Sequence, residues 1–460
     1  MLPVISRRLV HPLHERLLRR PTLRYARELE DSQWLAPDDL RRLQQEKLRA
    51  LLVHAQAQTR FYRERLGRAA VDIHGDDPSQ VLRRLPMLTK AEIRGSIDDM
   101  VWHEAPGGLY SRSTGGSSGE PLTFFCDRRR QAYDQAARIR AHRWFGVNVG
   151  DKELYLWGSP IESQGAAALK QMRDRLFNHR LLSAFDMSAA RMDAYLDAWE
   201  RYRPACAFGY PSSLALLAEH AQRRKRRLNT RGLRAVFVTG EVCYPHHKDA
   251  IASYFQAPIA DGYGSREAGF IAHQCPKGRM HLTAENVWAE IVRDGRPVPI
   301  GGTGEIVITH LDAYAMPFIR YRTGDMGRLV PGRCPCGRGL PMMEIVGGRV
   351  TDFLYLPDGT VKHALSIIYP LRETPGIRQF RVTQHEDFAV TVDVVADDPG
   401  GGLTQDAIAR RARPVLGSEI DVRVRLVDRI ATAGSGKFRY VVSHAGPQNA
   451  DPLAETPVLV

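Results

Sequence analysis

The sequence predicts an α/β fold: a large N-terminal domain of mixed and parallel sheet with helices, followed by a small α+β unit. Three observations carry this. Short apolar runs alternate with helical stretches: Glu153-Leu154-Tyr155-Leu156-Trp157 stops at Gly158, Ala205-Cys206-Ala207-Phe208-Gly209 precedes a helix from Ser212 to Arg223, and Ala235-Val236-Phe237-Val238-Thr239-Gly240 precedes one from Pro245 to Phe255. Buried strands followed by helices imply crossover connections and parallel sheet, whose ligands gather at the strand C-terminal ends. From about Met280 the pattern changes, and residues 287–292 and 304–309 read as strands of a more antiparallel region. After Gly348-Arg349 a smaller unit begins, with Phe353-Leu354-Tyr355-Leu356, the turn Pro357-Asp358-Gly359, strands near 378–395, a helix near 404–415 and a strand near 420–427. The expected division is 1–348, 349–445 and a Pro- and Ala-rich, disordered tail at 446–460.

The remaining elements follow in order. Met1 to Arg20 is basic and amphipathic, with Val4, Leu9, Leu13, Leu17 and Leu18 among Arg7, Arg8, Arg16, Arg19 and Arg20. It lacks an apolar signal core and carries Glu15, which argues against a secretory signal. The expectation is a helix packed on the body of the protein, with a membrane-surface helix as the alternative. Residues 26–66 read as helices, because Leu43, Leu48, Leu51, Leu52 and Ala55 recur at helical spacing. Residues 84–104 read as connecting structure, and a helix is expected from Arg128 to Phe145.

With 460 residues, 43% hydrophobic and 25% charged, the chain has material for a large core and more than one domain. Its net charge of +13 favours anionic small molecules. Nucleic acid is not expected, since no zinc-finger spacing, RNA-recognition aromatic motif or basic run with interleaved aromatics is present. No run approaches the roughly 18 apolar residues of a spanning helix. Six cysteines make no disulfide framework, which fits a reducing, cytoplasmic setting.

Ser113, Thr114, Gly115, Gly116, Ser117, Ser118 and Gly119, ahead of Glu120-Pro121, put four hydroxyls and three glycines in seven residues. Such a stretch is a flexible polar loop or an anion-binding turn, its N–H groups and hydroxyls converging on phosphate oxygens. It is not a P-loop, because no Gly-Lys-Ser/Thr follows. Downstream come Thr239-Gly240-Glu241, Asp261-Gly262-Tyr263-Gly264-Ser265-Arg266-Glu267, Arg320-Tyr321-Arg322-Thr323-Gly324-Asp325, Gly347-Gly348-Arg349-Val350-Thr351-Asp352 and Gly434-Ser435-Gly436-Lys437-Phe438-Arg439. Each alone is weak. In this order, over residues 30–440, they resemble the adenylate-forming (ANL) superfamily of acyl-CoA ligases. The nearer match is its phenylacetate–CoA ligase-like branch, including relatives linked to capsule biosynthesis, which share Tyr-Gly-Ser-Arg-Glu and a Cys-Pro-Cys-Gly-Arg segment.

The resemblance implies a mobile C-terminal cap on the large domain and a two-step reaction: a carboxylate attacks the α-phosphorus of ATP, then a thiol, usually coenzyme A, displaces AMP. It implies that residues 113–121 cradle the β- and γ-phosphates, that Tyr263 stacks on adenine beside Gly240, Glu241 and Gly264, and that Asp325 accepts the ribose hydroxyls. Glu267 would help hold Mg²⁺, a hard ion that prefers oxygen. Arg349 would sit near the ribose and the hinge, and Lys437 would reach the oxygens where charge develops, then swing away. Three positions depart from the pattern usual in the wider superfamily: Glu120 replaces a lysine, Arg266 replaces a hydroxyl residue, and Thr351 with Asp352 stands at the hinge.

Cys275 and His281, with Cys334 and Cys336 downstream, make two ligand clusters on separate turns. They are unpaired thiols or a tetrahedral Zn²⁺ site. The resemblance implies structural zinc bracing the loops near Glu267, with His273 as rival to His281 for the fourth position. The acyl pocket is expected among Trp157, Gly158, Ser159, Pro160, Gly209, Tyr210, Pro211, Ser212 and the segment from Gly262 to Ile271, where aromatics enclose an acid or simply pack the core. Arg266 would pair with a second polar group of the substrate. The acid, the acceptor (coenzyme A, a carrier protein or an amine) and a homodimeric state are left open; a nucleotide-binding protein without catalysis is a further alternative, disfavoured by Glu267, Asp325 and Lys437.

Overall fold

The computed structural model describes residues 2–113, 122–158, 171–185, 187–346, 353–358, 360–397, 403–430 and 440–445. Strand β1 (Tyr110–Ser113) pairs antiparallel with β2 (Thr123–Cys126), Ser113 opposite Thr123, and the hydroxyl-rich segment lies between them, outside the described residues. A parallel block follows, made of β3 (Glu153–Trp157), β4 (His179–Ser183), β5 (Cys206–Gly209), β6 (Ala235–Thr239) and β7 (Ile259–Ser265), in the spatial order β4-β3-β5-β6-β7. The crossover helices are Ala189–Tyr202, Pro211–Arg223 and Pro245–Phe255. The last two open on proline, which lacks only an N–H that the first turn leaves unpaired. Leu154, Leu156, Val236 and Val238 of the strands bury against Trp199, Leu217 and Phe255 of these helices.

At β7 the sheet changes direction. Strand β8 (Gly269–Gln274) returns antiparallel, and β9 (Met280–Leu282), β10 (Val287–Arg293), β11 (Arg296–Pro297), β12 (Gly304–His310), β13 (Tyr321–Val330) and β14 (Met342–Ile345) extend it in the order β7-β8-β9-β14-β13-β12-β10-β11. The expected antiparallel region is therefore the second half of one twelve-stranded sheet. Helices Thr22–Ser32, Pro37–Gln58 and Arg60–Ala69 match the N-terminal expectation. Leu48, Leu51, Leu52 and Ala55 are fully buried, in one cluster with Ile306, Ile308 and Phe318.

Residues 84–104 are not mere connection. They hold helices Lys90–Gly95 and Ile97–Met100, the first begun by a capping box of Thr89 and Glu92. Leu88 bonds through its backbone to Arg320 and Arg322 at 2.8 and 3.0 Å, which seats this segment beside the start of β13. Arg320 itself serves the core: it is buried, bonds Glu290 on both carboxylate oxygens at 3.0 and 3.1 Å, and caps the Leu85 carbonyl at 2.6 Å.

The C-terminal part is α+β. Strands β15 (Phe353–Tyr355) and β16 (Val361–His363) pair as a ribbon. Antiparallel β17 (Ile377–Gln384) and β18 (Val390–Ala396) are flanked by β19 (Val422–Leu426) and β20 (Val441–Ser443) in the order β19-β18-β17-β20. Helices Leu365–Arg372 and Gln405–Leu416 complete a core of its own, with Ile367, Leu371, Phe380, Val392 and Ile408.

Candidate active site

The second and third motifs meet where parallel sheet gives way to antiparallel. The Tyr263 hydroxyl, on β7, donates to Asp325 Oδ2 on β13 at 3.0 Å. Tyr321 of β13 donates to Glu267 Oε1, just after β7, at 3.0 Å. Each motif's tyrosine thus holds the other's carboxylate. The backbone here is forced: a Cβ on Gly264 would lie 2.6 Å from the Gly269 carbonyl oxygen, and Gly324 takes φ +77°. Buried Arg130 fixes the turn by donating to the carbonyls of Arg266 and Glu267 at 3.0 and 2.7 Å.

Glu267 is buried and has Lys90 Nζ 3.8 Å from Oε1. Both side-chain contacts run to Oε1, so among the described residues Oε2 makes no hydrogen bond. Arg266 Nη1 donates to the Ser113 carbonyl at 2.9 Å, which ties the base of the hydroxyl-rich segment to this turn. Its Nη2 reaches Tyr369 Oη of the C-terminal part at 3.3 Å. The guanidinium expected to meet substrate therefore bridges these two groups. Asp261 begins the same motif, and burial pushes its carboxyl up to about 7 against the Gly262 N–H and Lys248.

The aromatic residues gather at a second point. Strands β3 and β5 lie side by side, yet β4 follows β3 on its other flank, so the winding reverses between β3 and β5. Ligand crevices of α/β sheets open at the C-terminal ends of such a pair. There Trp157 stacks on Tyr210 with centroids 4.0 Å apart and planes 15° apart. Gly240, at φ +85°, approaches both rings; a Cβ would sit 3.2 Å from Tyr210 and 3.4 Å from Trp157. Gly158 faces Phe185 and Gly209 faces the Leu156 carbonyl, each too near for a Cβ. Phe185 in turn meets Tyr369, centroids 5.7 Å apart. Pro211 starts the following helix, and Glu241 accepts from the Ser212 hydroxyl and, at 3.4 Å, from its N–H, placing a carboxylate on that helix N-terminus.

Cys275, His281, Cys334 and Cys336 converge, with all four ligand atoms within 4.8 Å of one another. Cys275 Sγ lies 3.7 Å from Cys334 Sγ, and Cys336 Sγ 3.3 Å from His281 Nε2. His281 Nδ1 donates to the Leu340 carbonyl at 3.0 Å, which fixes the tautomer that leaves Nε2 for a metal. His273 is not part of the group: it stacks on Phe270 at 5.7 Å and its Nδ1 bonds the Gln274 carbonyl. Strand β8, six residues at roughly 3.3 Å each, separates Cys275 from Glu267, so the cluster stands at the far end of that strand from the loop it was expected to brace.

Thr114, Gly115, Gly116, Ser117, Ser118, Gly119, Ser159, Pro160, Arg349 and Lys437 lie outside the described residues. Lys90, Phe185 and Tyr369 are the contacts that sequence reasoning missed. The only local signal for Lys90 is the Thr89-x-x-Glu92 capping box, which fixes it at the first position of a helix.

A family model described as AMP-binding enzyme matches residues 181–312. Relatives named phenylacetate-coenzyme A ligase include one from Thermus thermophilus, 25% identical over 359 residues (72% of this chain, 74% of the relative). Another, from Escherichia coli, is 26% identical over 331 residues (69% and 73%). Among solved structures, 2-hydroxyisobutyryl-CoA ligase in its thioesterification state superposes with a TM-score of 0.58 at 21% identity, over 90% of this chain and 91% of that one. In its postadenylation state the TM-score is 0.53, over 87% and 88%. The chain shares the fold of this CoA ligase and is similar in sequence to the AMP-binding enzyme model over residues 181–312. Over about 70% of its length its sequence is similar to those of phenylacetate-coenzyme A ligases.

Proposed function

We propose that the protein activates a small carboxylic acid as its acyl-adenylate, releasing pyrophosphate, and passes the acyl group to the thiol of coenzyme A, releasing AMP. The observation that carries this reading is the reciprocal bonding of Tyr263 with Asp325 and of Tyr321 with Glu267. It brings an aromatic platform and two carboxylates into one place, which Arg266 ties to Ser113, the first residue of the hydroxyl-rich segment. Tyr263 stacks on adenine next to Gly240, Glu241 and Gly264. Asp325, oriented by the Tyr263 hydroxyl, accepts the ribose hydroxyls. The 113–119 donors offset the charge of the β- and γ-phosphates, so that the substrate carboxylate can approach in line.

Glu267 Oε2 suits a hard cation, and Mg²⁺ bound there would neutralise charge on the leaving pyrophosphate. Trp157 and Tyr210, at the reversal between β3 and β5, line the pocket for the acid. Lys437 would complete the first step and Arg349 would act at the hinge about which the C-terminal domain turns, the roles their motifs imply. The Cys275, His281, Cys334 and Cys336 donor set, three sulfurs and an oriented imidazole, fits structural Zn²⁺. Six free thiols suit a reducing compartment.

The test is carboxylate-dependent ATP–pyrophosphate exchange across a panel of aryl, fatty and amino acids, followed by AMP release with and without coenzyme A. Exchange with at least one acid and coenzyme A-dependent AMP release are expected. Exchange with none overturns the reading. Exchange without coenzyme A-dependent turnover moves the acceptor to a carrier-protein thiol or an amine.

A further inference from the structure

The N-terminal helical segment, Pro3–Leu17, packs on the protein with its polar side inward. Ser6, His11 and Glu15 are buried. Arg7 Nε donates to the Val149 carbonyl at 3.0 Å and its Nη2 to Asp151 at 3.1 Å. Rings of His11 and His14 meet Phe177 at 5.7 and 4.9 Å. Gly150 sits so near the helix that a Cβ there would be 2.8 Å from both Arg7 N and Pro3 O. These contacts fix which face looks outward.

The outward face is apolar. Leu9, Leu13 and Leu17 are 65%, 59% and 73% exposed, and Leu2 and Ile5 stand clear with them. The four-residue steps from Ile5 to Leu17 form one stripe, helped by the wider π-helical turn at Ser6–Val10. Exposed Arg8, Arg16 and Arg19 flank it. The segment's one acidic side chain, Glu15, is buried and already bonded by Thr22 and Arg20, and among the described residues no ion pair compensates that positive charge. An ordinary surface helix places its leucines on the core; here they face water together with the arginines.

We infer that this helix is an anchor that lays its leucine stripe into the interface of an anionic lipid bilayer. The charge pattern selects that occupant. A second copy of the chain meeting the stripe about a two-fold axis would bring two sets of arginines together. On anionic headgroups each arginine is instead attracted, while the leucines enter the acyl boundary. No described helix is long and apolar enough to cross a membrane, so the attachment is peripheral.

The experiment is cosedimentation of the full-length protein with vesicles of phosphatidylcholine alone and of phosphatidylcholine mixed with phosphatidylglycerol, with light scattering of the protein alone in parallel. Binding to the mixed vesicles, weak binding to phosphatidylcholine and release by salt are expected. The triple variant Leu9→Glu/Leu13→Glu/Leu17→Glu should lose binding. Arg8→Gln/Arg16→Gln/Arg19→Gln should weaken it by roughly two orders of magnitude. All these side chains are exposed, so both variants should keep the wild-type melting temperature and exchange activity. No sedimentation of wild type with the mixed vesicles overturns the proposal, as does leucine-variant binding equal to wild type. A lipid-indifferent dimer that the leucine variant dissolves assigns the stripe to a second copy and also overturns it.

Discussion

From β7 the Tyr263 hydroxyl orients Asp325 on β13, and its removal isolates one hydrogen bond while keeping the ring. A hydrogen bond to a charged group contributes on the order of 1.5–3 kcal/mol. Tyr263→Phe should therefore raise the KM for ATP in pyrophosphate exchange roughly tenfold and leave kcat nearly unchanged; an unaltered KM would remove Asp325 from ribose binding. Asp261 gives a pH prediction. Its carboxyl titrates at about 7 when folded, against a reference of 3.8, because burial disfavours the charged form. The folded state holds this proton more tightly, so the contribution is complete below the unfolded value and is lost as pH rises through the folded one. Melting temperature should fall with rising pH across that window, and Asp261→Asn should flatten the slope.

At the scale of elements, β3 and β5 approach so closely that a Cβ on Gly209 would lie 2.6 Å from the Leu156 carbonyl oxygen. Gly209→Ala has to push the strands apart at the place where Trp157 and Tyr210 stack. It should cost roughly 1–3 kcal/mol of stability and weaken acid binding more than ATP binding, as separate titrations would show. The Cys/His cluster joins the turn after β8, strand β9 and the turn before β14. The same region is tied to the N-terminal helices through Gln33, whose Oε1 accepts from Trp144 and Arg338 at 2.7 and 2.9 Å. Elemental analysis should find one zinc per chain. Cys334→Ser should lower both metal content and melting temperature while leaving the KM for ATP unchanged, because β8 separates the cluster from Glu267.

For the whole molecule, the proposed division of labour between the large sheet and the C-terminal α+β part predicts a split between half-reactions. Lys437→Ala should slow adenylate formation by about two to three orders of magnitude, the effect of losing one preorganised donor, and should spare thioester formation from supplied acyl-AMP. Equal loss of both would contradict a domain that turns between steps. Tyr369 already touches Arg266 and Phe185 across the two parts. Tyr369→Ala should accordingly alter the acid KM more than the ATP KM, measured in exchange assays.

What was legible in the sequence was what contiguous residues encode. Apolar runs ending in glycine gave β3, and β5 and β6 with the helices that follow them, and helical spacing gave Pro37–Gln58, since both depend on local periodicity. The ligand types Cys275, His281, Cys334 and Cys336 were readable from two short segments, although only the fold removed His273. Contacts between distant residues were not readable. Lys90 beside Glu267, Arg266 on Ser113 and Tyr369, and each tyrosine on the other motif's carboxylate depend on strand order and register, which no local pattern specifies. The N-terminal leucines make the same point: their periodicity announces an amphipathic helix, but which side faces water follows only from the contacts its polar face makes with Gly150, Asp151 and Phe177.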